Sequence, residues 1–185
     1  IWLDPEMTSA YSFFQFFLNS DDRDVEQLLK TFAFKSREEL EPLFESLRTN
    51  PGAREAHRAL AQEVTTLIHG ESMMKKVEHA AKALFGQGEI KDLDLSTLES
   101  ALQELPRTTI ARSASMPSWV ELVVSAGIVD SKSAARRIVK EGGAYLNNAK
   151  IPTEDFSPQT SDLLHGKYLL LRKGKRDLAA VEVAG

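Results

Sequence analysis

The sequence predicts an all-helical domain followed by a small α+β module. Three observations predict it. Apolar residues recur at spacings of three and four over residues 1–105. After residue 118 the pattern changes to short apolar runs divided by Asn and Gly turns. Between these, a stretch bounded by Pro106 and Pro117 has little apolar periodicity and reads as a linker. A chain of 185 residues accommodates two small domains of this kind.

The helical elements follow in order. Tyr11 to Leu18 carries Phe13, Phe14, Phe16 and Phe17 and reads as a helix buried on most sides. A second helix starts near Asp22 and places Val25, Leu28, Leu29 and Phe32 on one stripe. Ser36 with Glu39 is a capping box, and Leu40, Leu43, Phe44 and Leu47 follow on one face. Asn50–Pro51 starts a long helix to about His69, with Gly70 as its stop. Another helix spans Glu71 to Phe85 and ends at Gly86 and Gly88, and Ser96 with Glu99 opens a short one before Pro106.

The second part, residues 118–185, reads differently. Trp119 to Ala126 is a short apolar helix ending at Gly127, and Ser131 caps another that reaches Glu141. Tyr145–Leu146, Asn147–Asn148 and Lys150–Ile151 read as strand, tight turn and strand, because Asn tolerates positive φ. Lys167 to Arg172 and Leu178 to Val183 form a terminal hairpin about Gly174.

Composition excludes several function classes. Hydrophobic residues make up 42 % and charged residues 27 %, a balance that supports a folded core and not a disordered chain. The longest apolar runs, Tyr168 to Leu171 and Leu178 to Val181, are far short of the roughly 20 residues that span a bilayer. Cysteine is absent, which excludes disulfides and thiolate metal sites and permits a reducing cytosol. His57, His69, His79 and His165 lack close metal-ligand spacing, and no glycine-rich phosphate loop occurs. His69 before Gly70 reads as an imidazole stabilised at a helix C-terminus. The chain opens on Ile1, not methionine, the expectation being a piece of a longer protein.

The net charge of −4 conceals an asymmetry. Residues 1–116 hold 13 basic and 19 acidic side chains, and residues 117–185 hold 10 and 8, giving −6 and +2. Lys132, Arg136, Arg137 and Lys140 fall within an arc of about 140° on one helix, opposite Ala134, Ala135, Ile138 and Val139. Such a face suits RNA phosphates; a solvated surface is the plain alternative. Tyr145, Asn147, Asn148 and Lys150 adjoin it, an aromatic to stack on a base, amides to read base edges and a further cation. Arg172, Lys173, Lys175 and Arg176 extend the basic surface on the last hairpin. Asp22 and Asp24 suit helix capping, or acceptance from a base amino group.

Several blocks resemble the bacterial tyrosyl-tRNA synthetase family. Trp2-Leu3-Asp4-Pro5, Thr8-Ser9-Ala10-Tyr11, Phe14-Gln15-Phe16 and Asn19 with Asp22, Asp24 and Val25 resemble its stretch after the Lys-Met-Ser-Lys-Ser-type loop. Glu63-Val64-Thr65, His69-Gly70-Glu71 and Ala83-Leu84-Phe85 resemble its helical anticodon-binding domain. Ser131, Lys132, Ser133, Ala135-Arg136, Ile138, Gly143 and Asn147 fall on the motif of its terminal S-four-type RNA-binding domain. Ala10 replaces the usual proline, and Asn148 stands where Asn-Gly is common.

The resemblance implies an anticodon-binding domain over 1–105, a linker over 106–117 and an S-four-type domain over 118–185. It also implies that the family's catalytic Rossmann-like α/β domain is absent here. The implied partner is tRNA(Tyr), with the same chain's catalytic domain missing. The implied parent is a cytoplasmic homodimeric tyrosine–tRNA ligase using ATP with magnesium. This fragment is expected to be inactive and without cofactor or metal, and the loss of the dimerising domain implies a monomer. Two alternatives remain: another S-four-domain RNA-binding protein such as a ribosome-associated factor, and a helical interaction module without RNA.

Overall fold

The computed structural model describes residues 1–113 and 115–184. Ala114 of the expected linker and Gly185 of the expected second domain lie outside the described residues. The chain divides into two compact units, Ile1–Glu78 and His79–Gly185.

The first unit is helical. α1 (Ala10–Leu18) is capped by Ser9, whose Oγ accepts from Ser12 N at 3.1 Å. Phe13, Phe14 and Phe17 are buried, but Phe16 is 55 % exposed. The helix is thus buried on most sides as expected, and 100° steps carry Phe16 onto the side that stays open. α2 (Asp22–Phe32) takes its cap from Asp21, which accepts from Arg23 N at 3.0 Å. α3 (Arg37–Thr49) has the expected capping box, with Glu39 N donating to Ser36 Oγ and Ser36 N to Glu39 Oε2.

α4 (Glu55–His69) is the central helix, and α1, α2 and α3 all pack on it. Its Leu60 and Ala61, with Val25 and Leu29 of α2, are completely buried. The helix does not start at Asn50. Pro51–Ala53 forms a 3-10 turn and Arg54 adopts φ 53, which breaks the α geometry before Glu55. The Arg54 guanidinium donates to the Leu18 carbonyl, an interaction between distant residues that local pattern does not reveal.

Two imidazoles of α4 are titratable groups held in this unit. His57 is fully buried, with Nε2 2.9 Å from Asp22 Oδ1. Burial lowers its pKa, Arg54 adds to that, and Asp22 opposes it. The ring of His69 meets that of Phe13 edge-on at 4.9 Å, and burial lowers its pKa as well. That is the reverse of a protonated imidazole favoured by the helix end. Both folded pKa values lie below the unfolded one, so their stability is present above about pH 6.5 and lost as pH falls through the folded values. The thermal midpoint is expected to drop between about pH 8 and pH 5. A midpoint that rises on acidification would show that the imidazoles are stabilised as cations.

The second unit is built on a five-stranded mixed sheet. α5 (Glu71–Leu84) runs across the division and ends before Gly86, which has φ 77. α6 (Leu95–Gln103) is capped by Asp94, which accepts from Thr97 N at 3.0 Å. The expected cap at Ser96 is thus corrected: its hydroxyl instead donates to Asp94. Next come β1 (Arg107–Ala111), α7 (Trp119–Ser125) and α8 (Lys132–Lys140). The strands β2 (Ala144–Leu146), β3 (Ala149–Lys150), β4 (Tyr168–Lys173) and β5 (Asp177–Ala184) complete it. The order is β1-β5-β4-β2-β3, with β1 parallel to β5 and the other pairs antiparallel.

Two observations bear on the domain reading. Part of the expected linker is a strand: Arg107 pairs with Ala180, and the register continues to Ala111 with Ala184. Thr108, Thr109 and Ile110 are β-branched and suit a half-buried edge, where exposure alternates along the strand. The compact division also falls after Glu78, not after residue 105. Residues 79–105 join the sheet unit through long-range bonds. His165 Nε2 lies 2.7 Å from the Leu93 carbonyl, and Tyr168 Oη donates to Glu99 at 2.8 Å.

The core of the sheet unit gathers Trp119, Leu122 and Val123 of α7, Ala135 and Val139 of α8, and Leu169, Leu171, Ala179 and Val181 of the central strands. Ser118 and Glu121 form a capping box on α7, and Ser131 caps α8 as expected.

Candidate nucleic-acid interface

α8 presents the basic residues as its sequence pattern requires. Ala135 and Val139 face the core, while Lys132, Arg136, Arg137 and Lys140 are exposed. Each basic side chain has a carboxylate nearby. Lys132 Nζ pairs with Glu121 at 2.8 Å, Lys140 with Glu154 at 3.3 Å, and Arg136 with Glu154 at 3.9 Å. Arg137 lies 3.9 Å from Glu141. Lys132 sits in the first turn, where a cation opposes the helix dipole, whereas Arg137 and Lys140 complement it in the last turn. Lys132 holds Glu121 in its charged form, as the Ser118 bonds also do. At surface exposure these pairs are worth about 0–1 kcal/mol each, so the cations remain available to a polyanion.

Three turns converge beside the end of α8. Gly142–Gly143 follows the helix, and Gly174 N of the β4–β5 turn donates to Gly143 O at 2.8 Å. The Lys150 ammonium lies over Gly142, since a Cβ there would stand 2.5 Å from Nζ. Lys140, Lys150, Lys175 and Arg176 are thereby carried on neighbouring segments. Lys150, Lys175 and Arg176 are exposed and form no ion pair among the described residues.

The other expected contacts are already engaged within the fold. Arg172 stacks on Tyr145, its guanidinium carbon 3.8 Å from the ring centroid, across a β2–β4 register pair. It also donates to Asn148 Oδ1 at 3.2 Å and to Gly174 O at 2.7 Å. Asn147 and Asn148 have φ 47 and 67, the tight turn the sequence predicts. Their amides also bond within the fold. Asn147 donates to Asp162 O at 2.6 Å and accepts from Leu170 N at 2.9 Å, and Asn148 donates to Ala83 O at 2.6 Å. Lys173 donates to Ile128 O and pairs with Asp177 at 2.8 Å. These bonds fix the turn and use one of the two N–H donors of each amide. Spacing could not reveal this, because every partner is distant in sequence.

Asp22 and Asp24 belong to the first unit. Asp22 faces His57, and Asp24 stays exposed on the first turn of α2. Asp21 is the cap of α2, in keeping with an acidic residue at a helix start, and Arg23 holds its carboxyl well below the usual carboxylate range.

A feature that sequence reasoning missed is a cleft of about 490 Å³ against the β2–β3 turn. Its walls include Ile90, Lys91, Leu146, Lys150 and Phe156. No cluster of three or more potential metal ligands occurs among the described residues, and no helix there is long and apolar enough to cross a membrane.

Comparison with known proteins gives matches in both parts of the chain. Residues 97–181 match the family model "Tyrosine--tRNA ligase SYY-like C-terminal domain". Residues 1–86 match "tRNA synthetases class I (W and Y)". A tyrosine–tRNA ligase of Streptomyces avermitilis is 55 % identical over 185 residues, covering 100 % of this chain and 43 % of that protein. One from Mycobacterium bovis is 46 % identical over 187 residues, with the same 43 % covered. A solved C-terminally truncated mitochondrial tyrosyl-tRNA synthetase of Aspergillus nidulans is 39 % identical over 46 % of this chain and 25 % of that one, with a TM-score of 0.44. The chain thus spans less than half the length of the curated relatives it matches.

Proposed function

We propose that this chain, which belongs to the tyrosine–tRNA ligase family as its C-terminal portion, grips the anticodon arm of tRNA(Tyr). In this reading residues 1–105 contribute an anticodon-binding helical part, and residues 118–185 contribute an S-four-type RNA-binding module. The exposed cationic face of α8 carries the proposal, with Lys150, Lys175 and Arg176 beside it. Cations there hold phosphates and fix orientation, while sequence is read from splayed single-stranded bases.

The whole enzyme would activate tyrosine with ATP and magnesium and transfer it to tRNA(Tyr). It would act as a cytoplasmic homodimer through a catalytic domain joined to this chain. The present residues would supply grip without the catalytic step and without a cofactor. Filter binding with tRNA(Tyr) is expected to give an affinity that falls as salt rises, with a log–log slope of about −3 to −4 for the α8 contacts. Tyrosine-dependent pyrophosphate exchange by the chain alone would overturn the division of labour.

Glu154 provides a second expected outcome. It is the carboxylate closest to both Arg136 and Lys140, so RNA phosphate must displace it. Glu154→Gln is expected to tighten tRNA binding by up to about fivefold, the scale of a surface ion pair. Competition binding measures this, and an unchanged or weaker affinity would show that Glu154 does not shield the site.

A further inference from the structure

We infer that the cleft against the β2–β3 turn receives one unpaired nucleotide of the bound RNA, a site that deepens the anticodon-arm reading and rests on it. Its volume of about 490 Å³ falls within the roughly 300–1,000 Å³ of small-molecule sites. All its walls belong to the sheet unit. Buried Ile90, Leu146 and Ile151 give it an apolar lining, and half-buried Phe156 adds an aromatic ring. A nucleobase is a flat apolar plate with polar edges, and it needs such a lining together with groups for its edge and phosphate.

Both kinds of group are present. Lys91 and Lys150 line the cleft, are exposed, and form no ion pair among the described residues. They are placed for the phosphate. Glu89 and Asp162 also line it. One Asp162 oxygen accepts from Gln159 N at 2.8 Å, which leaves its other oxygen as an acceptor. Carboxylates accept from amino groups on base edges, so a base with an exocyclic amine is favoured over uracil. The Asn147 and Asn148 amides each make one donated bond within the fold, which fixes their position at the cleft. Those bonds hold the turn that forms one wall of the cleft. Asn148 ties the turn to the Ala83 carbonyl, and Gly86 lies so near that a Cβ would stand 3.6 Å from Asn148 Oδ1.

The test fills the cleft without touching the α8 cations. Ala149 lines it and is exposed, so Ala149→Phe occupies the space with little demand on the core. Binding of the 185-residue chain to tRNA(Tyr) transcripts is measured, each transcript lacking one base of the anticodon loop. The expected result is about a tenfold loss of affinity for Ala149→Phe with an unchanged salt slope. One abasic position should weaken the unsubstituted chain equally and add nothing to the variant. Lys91→Ala should weaken binding and reduce the salt slope by about one. Wild-type affinity in Ala149→Phe, or full additivity at every abasic position, would overturn the inference. Competition by free mononucleotides would overturn its RNA source.

If Ala149→Phe fails to fold, a photoreactive base in the loop of tRNA bound to the unsubstituted chain decides. Crosslinks to Ile151 or Phe156 support the cleft, and crosslinks confined to residues 132–140 overturn it. Arg136→Glu with Arg137→Glu serves as the control. Loss of binding there with no effect of cleft filling defeats the cleft alone; no effect of either defeats the anticodon-arm reading.

Discussion

Replacing Arg136 and Arg137 together by Glu is expected to weaken RNA binding by about two orders of magnitude, equally for every RNA sequence. The size follows from counterion release. Each phosphate contact contributes about 0.9 to the salt slope, so at about 0.1 M salt two lost contacts amount to roughly sixtyfold. Charge reversal adds repulsion to that loss. The slope itself should fall from about −3 to −4 to about −2 or less, a reading independent of absolute affinity. Folding should be little affected, because the side chains are 54 % and 75 % exposed and their nearest carboxylates lie 3.9 Å away. Unaltered circular dichroism with a weakened, flatter salt dependence would identify phosphate contacts. An unaltered affinity would make the α8 face an ordinary solvated surface and would remove the main support for RNA binding.

What the sequence made legible was local. Ser36 with Glu39, Ser131 before α8 and Asn147–Asn148 each declare their structure within a few residues, and each adopts it. The basic stripe of α8 was legible for the same reason, since 3.6-residue periodicity separates Arg136 from Ala135 without any tertiary knowledge. The misses are long-range. β1 has no conspicuous apolar pattern, and only β5, some 70 residues later, gives its backbone a partner. Residues 79–105 share the helical periodicity of the preceding segments, whereas Leu93 and Glu99 bond to His165 and Tyr168. Turn chemistry alone predicts an exposed Asn148 amide, and the Ala83 carbonyl that accepts from it lies 65 positions away. A residue type states which bonds it can form, and the fold decides which partner arrives first.

The largest expected stability effect lies at Trp119, which is completely buried at the centre of the sheet unit. Trp119→Ala removes an indole from a close-packed core and costs about 3–5 kcal/mol. It also removes the Nε1–H that donates to the Tyr145 carbonyl at 3.0 Å. Domains of this size hold only about 5–15 kcal/mol in total, so the variant should melt roughly 15–30 °C lower. Trp119→Phe separates the two contributions. It keeps most of the apolar volume and loses the donor, a change in which the hydrogen bond itself is worth only about 0.5–1.5 kcal/mol. A Phe variant as unstable as the Ala variant would place the effect in the hydrogen bond and not in packing. Calorimetry measures both. RNA binding should follow the folded fraction, because Trp119 joins α7 to β2 and thereby supports Tyr145, on which Arg172 stacks. Binding by Trp119→Ala should therefore recover on cooling, whereas binding by the Arg136/Arg137 charge reversal should not. Failure to recover in a folded Trp119→Ala chain would mean that β2 needs the indole for its position, and not merely for its stability.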